Sequence, residues 1–192
     1  MPYQKVWQDM QSLTANRTEL TADEIWFVQH PAIFTLGKNS KPEHLLNPRD
    51  IPTLQIDRGG QVTYHGPGQL IAYLMIDLKR LKIGVRELVT RIENSLVIFL
   101  ATYNVKAFTK KDAPGVYTEQ GKIAALGLRI RKSCSYHGLS LNVKMQLEPF
   151  SRINPCGYKD LSIVQLADFY PQIILSECIE NLQQALIEEI YK

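Results

Sequence analysis

Residues 58–69 read RGGQVTYHGPGQ. It holds four of the chain's eleven glycines together with a proline. Such a segment does not form a helix, because repeated glycine and an interior proline are both costly there. A tight hairpin with a β-bulge would account for any single glycine. For the whole run we predict a loop whose backbone approaches a ligand closely, between strands at 54–57 and 70–78.

Three amphipathic helices are predicted outside this stretch, because apolar residues recur there at helical spacing. The first covers Tyr3 to Leu13, the second about Gly84 to Tyr103, and the third Ile174 to Ile190. We expect the apolar stripe of the second helix, which starts at Val85 and includes Val89, to face the core.

Further strands are predicted at 24–29, 116–117, 122–131 and 135–143, the last three as a meander. They lie grouped between helices, without the regular alternation of strand and helix that a parallel sheet requires. The sequence therefore predicts an α+β fold. It has a single domain, residues 1–192, with a mixed, mostly antiparallel sheet flanked by helices.

Composition sets the broad class of protein. The 192 residues are 45% apolar and 21% charged, which is ordinary for one soluble globular domain. The longest apolar runs are far shorter than the ~18–20 residues that a membrane-spanning helix needs. The first ten residues lack the apolar core of a secretory signal, so we expect no membrane partner and a cytoplasmic location.

The basic residues bear on possible partners. A net charge of +3 does not require nucleic acid, and aromatic residues do not alternate with the basic ones. Basic residues do cluster at 79–82, 110–111 and 129–132. Each cluster alone is typical of a solvated surface, but together they would steer an acidic macromolecule by long-range attraction.

The sequence offers no motif for a metal or a cofactor. The three cysteines have no CxxC spacing and the four histidines stand far apart, so no disulfide framework or zinc site is predicted. No P-loop is present, and the glycine run lacks the third glycine of a dinucleotide loop. We therefore expect no metal and no cofactor.

Among the cysteines, Cys156 is placed like a nucleophile, between Pro155 and Gly157. The proline fixes the approach of the chain, and the glycine leaves the sulfur uncrowded with free backbone N–H groups beside it. A buried structural cysteine in a loop is an equally common arrangement. Cys134 and Cys178 lie in predicted regular elements, and we expect both to be structural.

A nucleophilic cysteine needs a neighbour that favours the thiolate, because a thiol with a pKa of ~8.5 is mostly protonated at neutral pH. Two residues are candidates. His137 would form a Cys–His pair. Lys122 lies in a strand of small and apolar residues, where it either snorkels to the edge or forms a partly desolvated ammonium that exchanges protons. The residue pattern leaves both open.

Four segments together resemble the octanoyl (lipoyl) transferases of lipoate biosynthesis. The order and spacing of the segments agree with that family, and the similarity extends over nearly the whole chain. Tyr117 departs from the family pattern, which has tryptophan there. The segments are RGGQVTYHGPGQLIAY (58–73), GVYTEQGKIAALGLRI (115–130), YHGLSLNV (136–143) and INPCGY (153–158).

The resemblance implies the biotin/lipoate protein ligase catalytic-domain fold and an acyltransferase activity. The donor would be octanoyl-acyl carrier protein. The acceptor would be a lysine of lipoyl domains, as in 2-oxoacid dehydrogenases and the glycine cleavage H protein. By position, Cys156 matches the nucleophile that forms a thioester, and Lys122 matches the residue that lowers its pKa and transfers protons.

The resemblance also implies a set of substrate-binding residues in three segments. We also expect an acyl slot lined by Ala72, Ala124, Ala125 and Leu126; the alternative is that these small apolar residues belong to the core. The substrate-binding residues are Arg58, Gly59, Gly60, Gln61, Val62, Thr63, Tyr64 and His65, then Ala125, Leu126 and Gly127, and finally Gly138, Leu139 and Ser140.

Three other functions stay open at this point. An ATP-dependent lipoate or biotin ligase on the same fold would activate a free acid and would need no cysteine nucleophile. A lipoyl amidotransferase that moves the acyl group between two lysines would keep the cysteine. A non-catalytic acyl-carrier-binding module would use the basic clusters for docking and would be indifferent to Cys156→Ala.

Overall fold

A six-stranded sheet forms the centre of the computed structural model, which describes residues 1–157 and 161–192 and, for Cys156, only the backbone. Every neighbouring pair in this sheet is antiparallel. In sheet order the strands are β1 (Glu24–Val28), β5 (Gln69–Met75), β9 (Cys134–Asn142), β8 (Gly121–Arg131), β7 (Gly115–Thr118) and β6 (Phe108–Thr109). The predicted meander is confirmed as β7, β8 and β9.

A second, three-stranded sheet lies beside the first. It consists of β3 (Thr53–Gln55), β2 (Ile33–Leu36) and β4 (Val62–His65), with β2 parallel to β3 and antiparallel to β4. Strand β4 corrects the prediction of a continuous loop over 58–69. The glycines flank β4 rather than interrupt it, so Val62 and Tyr64 alternate onto a buried cluster around Phe34.

The three predicted amphipathic helices are confirmed. They are α1 (Tyr3–Asn16), α3 (Val85–Ala101) and α4 (Leu175–Ile190). A four-residue helix, α2 (Leu78–Leu81), was not predicted. The observed strand β5 therefore ends at Met75, before the end of the strand predicted for 70–78. Asp77 caps α2 by accepting a hydrogen bond from the Arg80 N–H at 3.0 Å.

Strand β5 shows how the layers are arranged. All seven of its residues are buried, which its nearly continuous apolar sequence requires. Leu70, Ala72 and Leu74 face a large core shared with α3 and α4, whereas Ile71 and Tyr73 face a smaller core shared with α1. The central sheet therefore lies between two helical layers, and its alternation decides which residues meet which helix.

The structure confirms that two of the cysteines are buried. Cys178 on α4 is fully buried in the large core, and Cys134 lies at the start of β9. Burial raises the pKa of both thiols, in the case of Cys178 to about 11. Neither thiol therefore forms a thiolate easily.

Among residues 1–157 and 161–192, no helix combines the length and the apolar character that crossing a membrane demands.

Candidate active site

A cavity of about 330 Å³ opens beside the central sheet, and the glycine run forms one of its walls. The other walls come from β8, β9, the start of α3 and the turn at 112–114. The cavity brings together every residue predicted to bind substrate except Tyr64. These lining residues are Arg58, Gly59, Gly60, Gln61, Val62, Thr63, His65, Ala125, Leu126, Gly127, Gly138, Leu139 and Ser140.

Tyr64 lies elsewhere. Its ring packs between Phe34 and Phe150, with both centroid distances at 5.5 Å. Successive side chains of a strand point to opposite faces, so β4 cannot turn Tyr64 to the same side as Thr63 and His65. The structure thus gives Tyr64 a packing role under the second sheet.

Arg58 holds the glycine run in shape. Its buried guanidinium donates to the carbonyl oxygens of Gly59 and Gln61 at 2.9 and 2.8 Å. It also donates to the Thr35 carbonyl and hydroxyl oxygens at 2.8 and 3.0 Å. Arg58 therefore connects the run to β2, and only a planar guanidinium has the donor geometry for these four contacts.

Lys122 is buried at the beginning of β8, with 3% of its surface exposed. Its Nζ donates to the Pro114 carbonyl oxygen at 2.9 Å and lies 5.2 Å from the centroid of the Tyr117 ring. The amine thus does not snorkel to the edge of the sheet. Lys122 lines the large cavity and also a small second cavity, which Pro155 lines as well.

For Cys156 the structure describes the backbone, and its side chain lies outside the described part of the chain. Its backbone belongs to a short helical turn, Pro155–Gly157. A Cβ placed on Gly157 would lie 3.5 Å from the Gln61 Cγ, so this turn packs against the glycine run. The Gly157 N–H donates to the Asn154 carbonyl oxygen at 3.0 Å. This contact corrects the expectation that the N–H of Gly157 is free.

His137 lies on the cavity wall, where its Nε2 donates to Oδ1 of Asp57 at 2.9 Å. Burial lowers the pKa of His137, and the neighbouring carboxylate opposes that effect. Burial also acts to raise the pKa of Asp57, but hydrogen bonds from His137, Tyr136 and Trp7 outweigh it and hold that pKa well below its usual range. The imidazole Nδ1 has no partner within the described chain.

His65 is a second neutral imidazole on the cavity wall. Its Nδ1 lies 2.8 Å from Oε1 of Gln69, whose amide group donates in turn to Asn142 at 2.9 Å. Since the Gln69 oxygen accepts, His65 Nδ1 carries the proton and Nε2 is left as an acceptor. Burial lowers the pKa of His65 to about 3, so this residue stays uncharged at neutral pH.

The structure corrects two expectations about apolar residues. Val85 and Val89 of α3 line the cavity, and Val85 is 44% exposed, so the core-facing part of this stripe starts only at Leu88. Ala72 lies in the large core instead of the acyl slot. Ala124 lines the small second cavity and not the large one. The apolar stripe of α3 is wider than the face of that helix that meets the core, and the spacing of apolar residues alone does not show this difference.

Other cavity residues were not predicted from the sequence. Tyr3 comes from α1, Ile71 and Tyr73 come from β5, and residues 112–114 come from the turn before β7. No local motif marks them, because they reach the cavity only through packing. Within the described residues, no cluster of three or more histidine, cysteine or acidic side chains is arranged to hold a metal ion.

The fold is that of the lipoate protein ligase catalytic domains. The bi-partite lipoate protein ligase of Thermoplasma acidophilum superimposes with a TM-score of 0.79 at 14% identity, covering 100% of this chain and 81% of that one. A lipoate-protein ligase A bound with ATP gives 0.77 at 14% identity, with 94% and 78% covered. At these identities the likeness establishes the fold, and it confirms the predicted fold class.

The chain belongs to the family described as the lipoyl protein ligase A/B catalytic domain, whose model matches residues 2–189. An octanoyltransferase of Pseudomonas savastanoi pv. phaseolicola is 58% identical over 188 residues, which cover 98% of this chain and 86% of that protein. An octanoyltransferase of Shewanella woodyi is 62% identical over 163 residues, with 85% and 74% covered.

Proposed function

We propose that this chain is an acyltransferase that moves an octanoyl group from acyl carrier protein to a lysine of a lipoyl domain. The identity of 58% over 188 residues to an octanoyltransferase carries the proposal. The proposed catalytic unit is the whole of residues 1–192. Its cytoplasmic location stays a prediction from the sequence.

The cavity supports an acyl substrate. Its volume of about 330 Å³ falls within the range of about 300–1,000 Å³ typical of small-molecule sites. Val85, Val89, Leu126 and Leu128 provide apolar lining. Each methylene of an octanoyl chain buried against such a wall would contribute about 0.8 kcal/mol to binding.

In the first half-reaction, we propose, the Cys156 thiolate attacks the carbonyl carbon of the carrier thioester. The bond from that carbon to the carrier sulfur breaks, and the released carrier thiolate takes a proton from the Lys122 ammonium. The acyl-enzyme is itself a thioester, so this exchange is nearly balanced in energy. Backbone N–H groups of the glycine run are the proposed donors to the oxyanion.

In the second half-reaction, the amine of the acceptor lysine attacks the Cys156 thioester. A lysine with the reference pKa of ~10.4 is almost fully protonated at pH 7, so a base must accept its proton. That first proton goes to solvent and leaves the neutral amine that attacks. Lys122, left neutral by the first half-reaction, takes the second proton, which the nitrogen loses as the amide forms. The amide forms, the bond between carbon and sulfur breaks, and the pair of thiolate and ammonium is restored.

The proposed partners follow from this chemistry. Octanoyl-acyl carrier protein is the donor, and the lipoyl domains of 2-oxoacid dehydrogenases and the glycine cleavage H protein are the acceptors. The basic residues Lys110 and Lys111 directly precede the cavity-lining turn at 112–114, so an acidic carrier would be attracted close to the cavity.

The mass of the intact protein tests the acyl-enzyme. After incubation with octanoyl-acyl carrier protein, we expect the mass to rise by one octanoyl group on the peptide that holds Cys156. Addition of a lipoyl domain should then remove it. Cys134→Ser should acylate normally, and Cys156→Ala should not. An active enzyme whose Cys156 peptide stays unmodified would contradict covalent catalysis.

The rate of alkylation of Cys156 as a function of pH tests the role of Lys122. We expect a higher thiol pKa in Lys122→Met than in the wild type, because the ammonium favours the thiolate. Lys110→Met is the matched control, since Lys110 lies over the same Tyr117 ring at 4.4 Å but is exposed at the surface. Equal profiles in the wild type and Lys122→Met would remove Lys122 from this role.

An ATP-dependent lipoate ligase is the second candidate, since proteins named lipoate ligases share this fold. Octanoylation of a lipoyl domain from free octanoate and ATP, without carrier protein, would favour the ligase. We expect that reaction to be absent.

A further inference from the structure

A single peptide unit connects Glu93 on α3 with Lys122 on β8. Oε1 of Glu93 accepts a hydrogen bond from the Gly115 N–H at 2.8 Å. The Nζ of Lys122 donates to the Pro114 carbonyl oxygen at 2.9 Å. That carbonyl and that N–H are the two ends of one peptide group. The carboxylate and the amine therefore lie at opposite edges of the same planar peptide group.

The connection is buried and leaves no room for other side chains. Glu93 is 8% exposed and Lys122 is 3% exposed. Gly115 has φ of 136°, and a Cβ there would lie 2.5 Å from Cε and 2.9 Å from Nζ of Lys122. Glycine is thus required at position 115, both for this backbone conformation and for the close approach of the lysine.

The arrangement couples the two charges in two ways. Hydrogen bonds in a chain polarise one another, so the carboxylate strengthens the Pro114 oxygen as an acceptor for the amine. A negative charge one peptide group away also favours the ammonium form directly, and burial reduces the screening of that attraction. Burial raises the pKa of Glu93, and the Gly115 N–H and Lys122 partly offset that rise, as expected if the carboxylate and the amine interact.

We propose that Glu93 is a positioning residue for Lys122: it fixes the Pro114–Gly115 peptide that holds the amine, and its charge favours the ammonium. The hydrogen bonds of Glu93 and Lys122 to this peptide are observed in the structure. Its consequence for acyl transfer rests on the proposed function, in which the ammonium stabilises a thiolate and supplies a proton. A carboxylate with no contact to substrate would then set the pH range of the reaction.

Other groups contribute to the electrostatic environment of Lys122. The ring of Tyr117 lies below its amine, and Lys110 lies over the same ring. The charged and titratable groups that share the large cavity with it are Tyr3, Arg58, His65, Tyr73, Asp112 and His137. The Cys156 side chain lies outside the described residues. Glu93 differs from all of these because it acts through a peptide group that the amine itself contacts.

The wild-type protein provides a test that needs no substitution and no activity. The amide ¹H–¹⁵N resonance of Gly115, followed by NMR against pH, should move in two steps. An acidic step reports Glu93 and an alkaline step coincides with the titration of Lys122, followed by the ¹³Cε shift of that lysine. The absence of the alkaline step at Gly115 would overturn the proposal.

Substitution provides the second test. Glu93→Gln keeps an acceptor for the Gly115 N–H and removes the charge. We expect the titration of Lys122 and the alkaline limb of the pH–kcat profile to shift to lower pH by about one unit, with KM for octanoyl-acyl carrier protein changed less than about twofold. Glu87→Gln, on the exposed side of the same helix, is the matched control and should shift neither.

The outcomes separate this proposal from the proposed function. If Glu93→Gln leaves the Lys122 titration where it is in the wild type, Glu93 has no electrostatic role and the proposal fails. If the Lys122 titration shifts but the wild type transfers no octanoyl group, only the proposed function fails. Glu93→Asp, which keeps the carboxylate, should retain the wild-type titration more closely than Glu93→Gln does.

Discussion

The buried His137 pairs with the partly exposed Asp57, and Nε2 of its imidazole donates to Oδ1 of the carboxylate at 2.9 Å. Because a carboxylate only accepts, the proton of His137 is on Nε2. Asp57 also accepts from the Trp7 indole at 2.8 Å and from the Tyr136 hydroxyl. The carboxylate thus connects α1 to the strand that forms the cavity wall.

Asp57→Asn should destabilise the protein by about 2 kcal/mol at pH 7, because charge-assisted hydrogen bonds are lost and partners stay buried. The pKa of Asp57 is lowered in the folded state, so its stabilisation is present above the unfolded pKa of ~3.9 and is lost as the pH falls below it. Urea unfolding at pH 7 and pH 3 gives the free energy of unfolding of the wild type and of Asp57→Asn. The difference between the two proteins should be smaller at pH 3 than at pH 7.

Asp9→Asn is the control for that experiment. Asp9 pairs with Lys5 on the exposed face of α1 at 2.6 Å, and such surface pairs contribute less than about 0.5 kcal/mol. A loss of equal size in the two variants would show that the Asp57 network adds nothing beyond an ordinary surface charge.

His65→Gln should flatten the dependence of stability on pH below about 6.5. The pKa of His65 is lowered to about 3 in the fold, so only the unfolded chain takes up a proton as the pH falls from ~6.5. This uptake should cost the wild type about 2 kcal/mol between pH 7 and pH 5, and the variant should not lose that part. Urea unfolding at the two pH values measures the effect; parallel losses would contradict the buried neutral imidazole.

Arg58→Lys should disorder the glycine run although it keeps a positive charge at position 58. A lysine cannot reach the carbonyl oxygens of Thr35, Gly59 and Gln61 together, so we expect a loss of about 2–3 kcal/mol in stability and a raised KM for the acyl donor. Thermal unfolding and steady-state kinetics measure these two effects. Arg131→Lys, at the exposed end of β8, is the control. Equal effects in both variants would show that the hydrogen bonds of Arg58 do not hold the glycine run in place.

Val89→Phe should fill part of the cavity and shorten the acyl chain that is accepted. Excluding two or three methylenes would lower kcat/KM for octanoyl transfer about 10- to 100-fold, whereas a butanoyl or hexanoyl donor should be affected much less. Competition between donors of different length measures this selectivity. Ile98→Phe adds the same ring to an exposed position of α3 and should leave selectivity unchanged. An unaltered chain-length preference in Val89→Phe would show that the acyl chain does not bind in this cavity.

Long periodic segments could be predicted from the sequence with little error. The helices α1 and α4 and the meander of β7, β8 and β9 follow from apolar spacing, because one face of each element must be buried. Burial of Cys134 and Cys178 followed from the same patterns. The glycine run was predicted to be a loop that faces a ligand; it contains a strand, and its residues line the cavity.

Contacts between distant segments could not be predicted in this way. Tyr64 and His65 are neighbours in the chain, yet one packs under the second sheet and the other lines the cavity. Val85 belongs to the same apolar stripe as Leu88 but lies outside the core. Which side of an element meets the core depends on what packs against it, and that is decided by segments far away in sequence.

Local sequence patterns are sufficient to predict the class of fold, the main helices and strands, and the segments that gather around the site. Apolar periodicity and glycine spacing involve residues that are close together in the chain, so they can be recognised from the sequence alone. Packing in three dimensions was needed to show that Glu93 and Lys122 contact one peptide group, and that Asp57 connects α1 to the cavity wall. These contacts arise because packing brings together donors and acceptors that are 22 to 80 residues apart, and buried polar groups must then pair with whatever lies beside them.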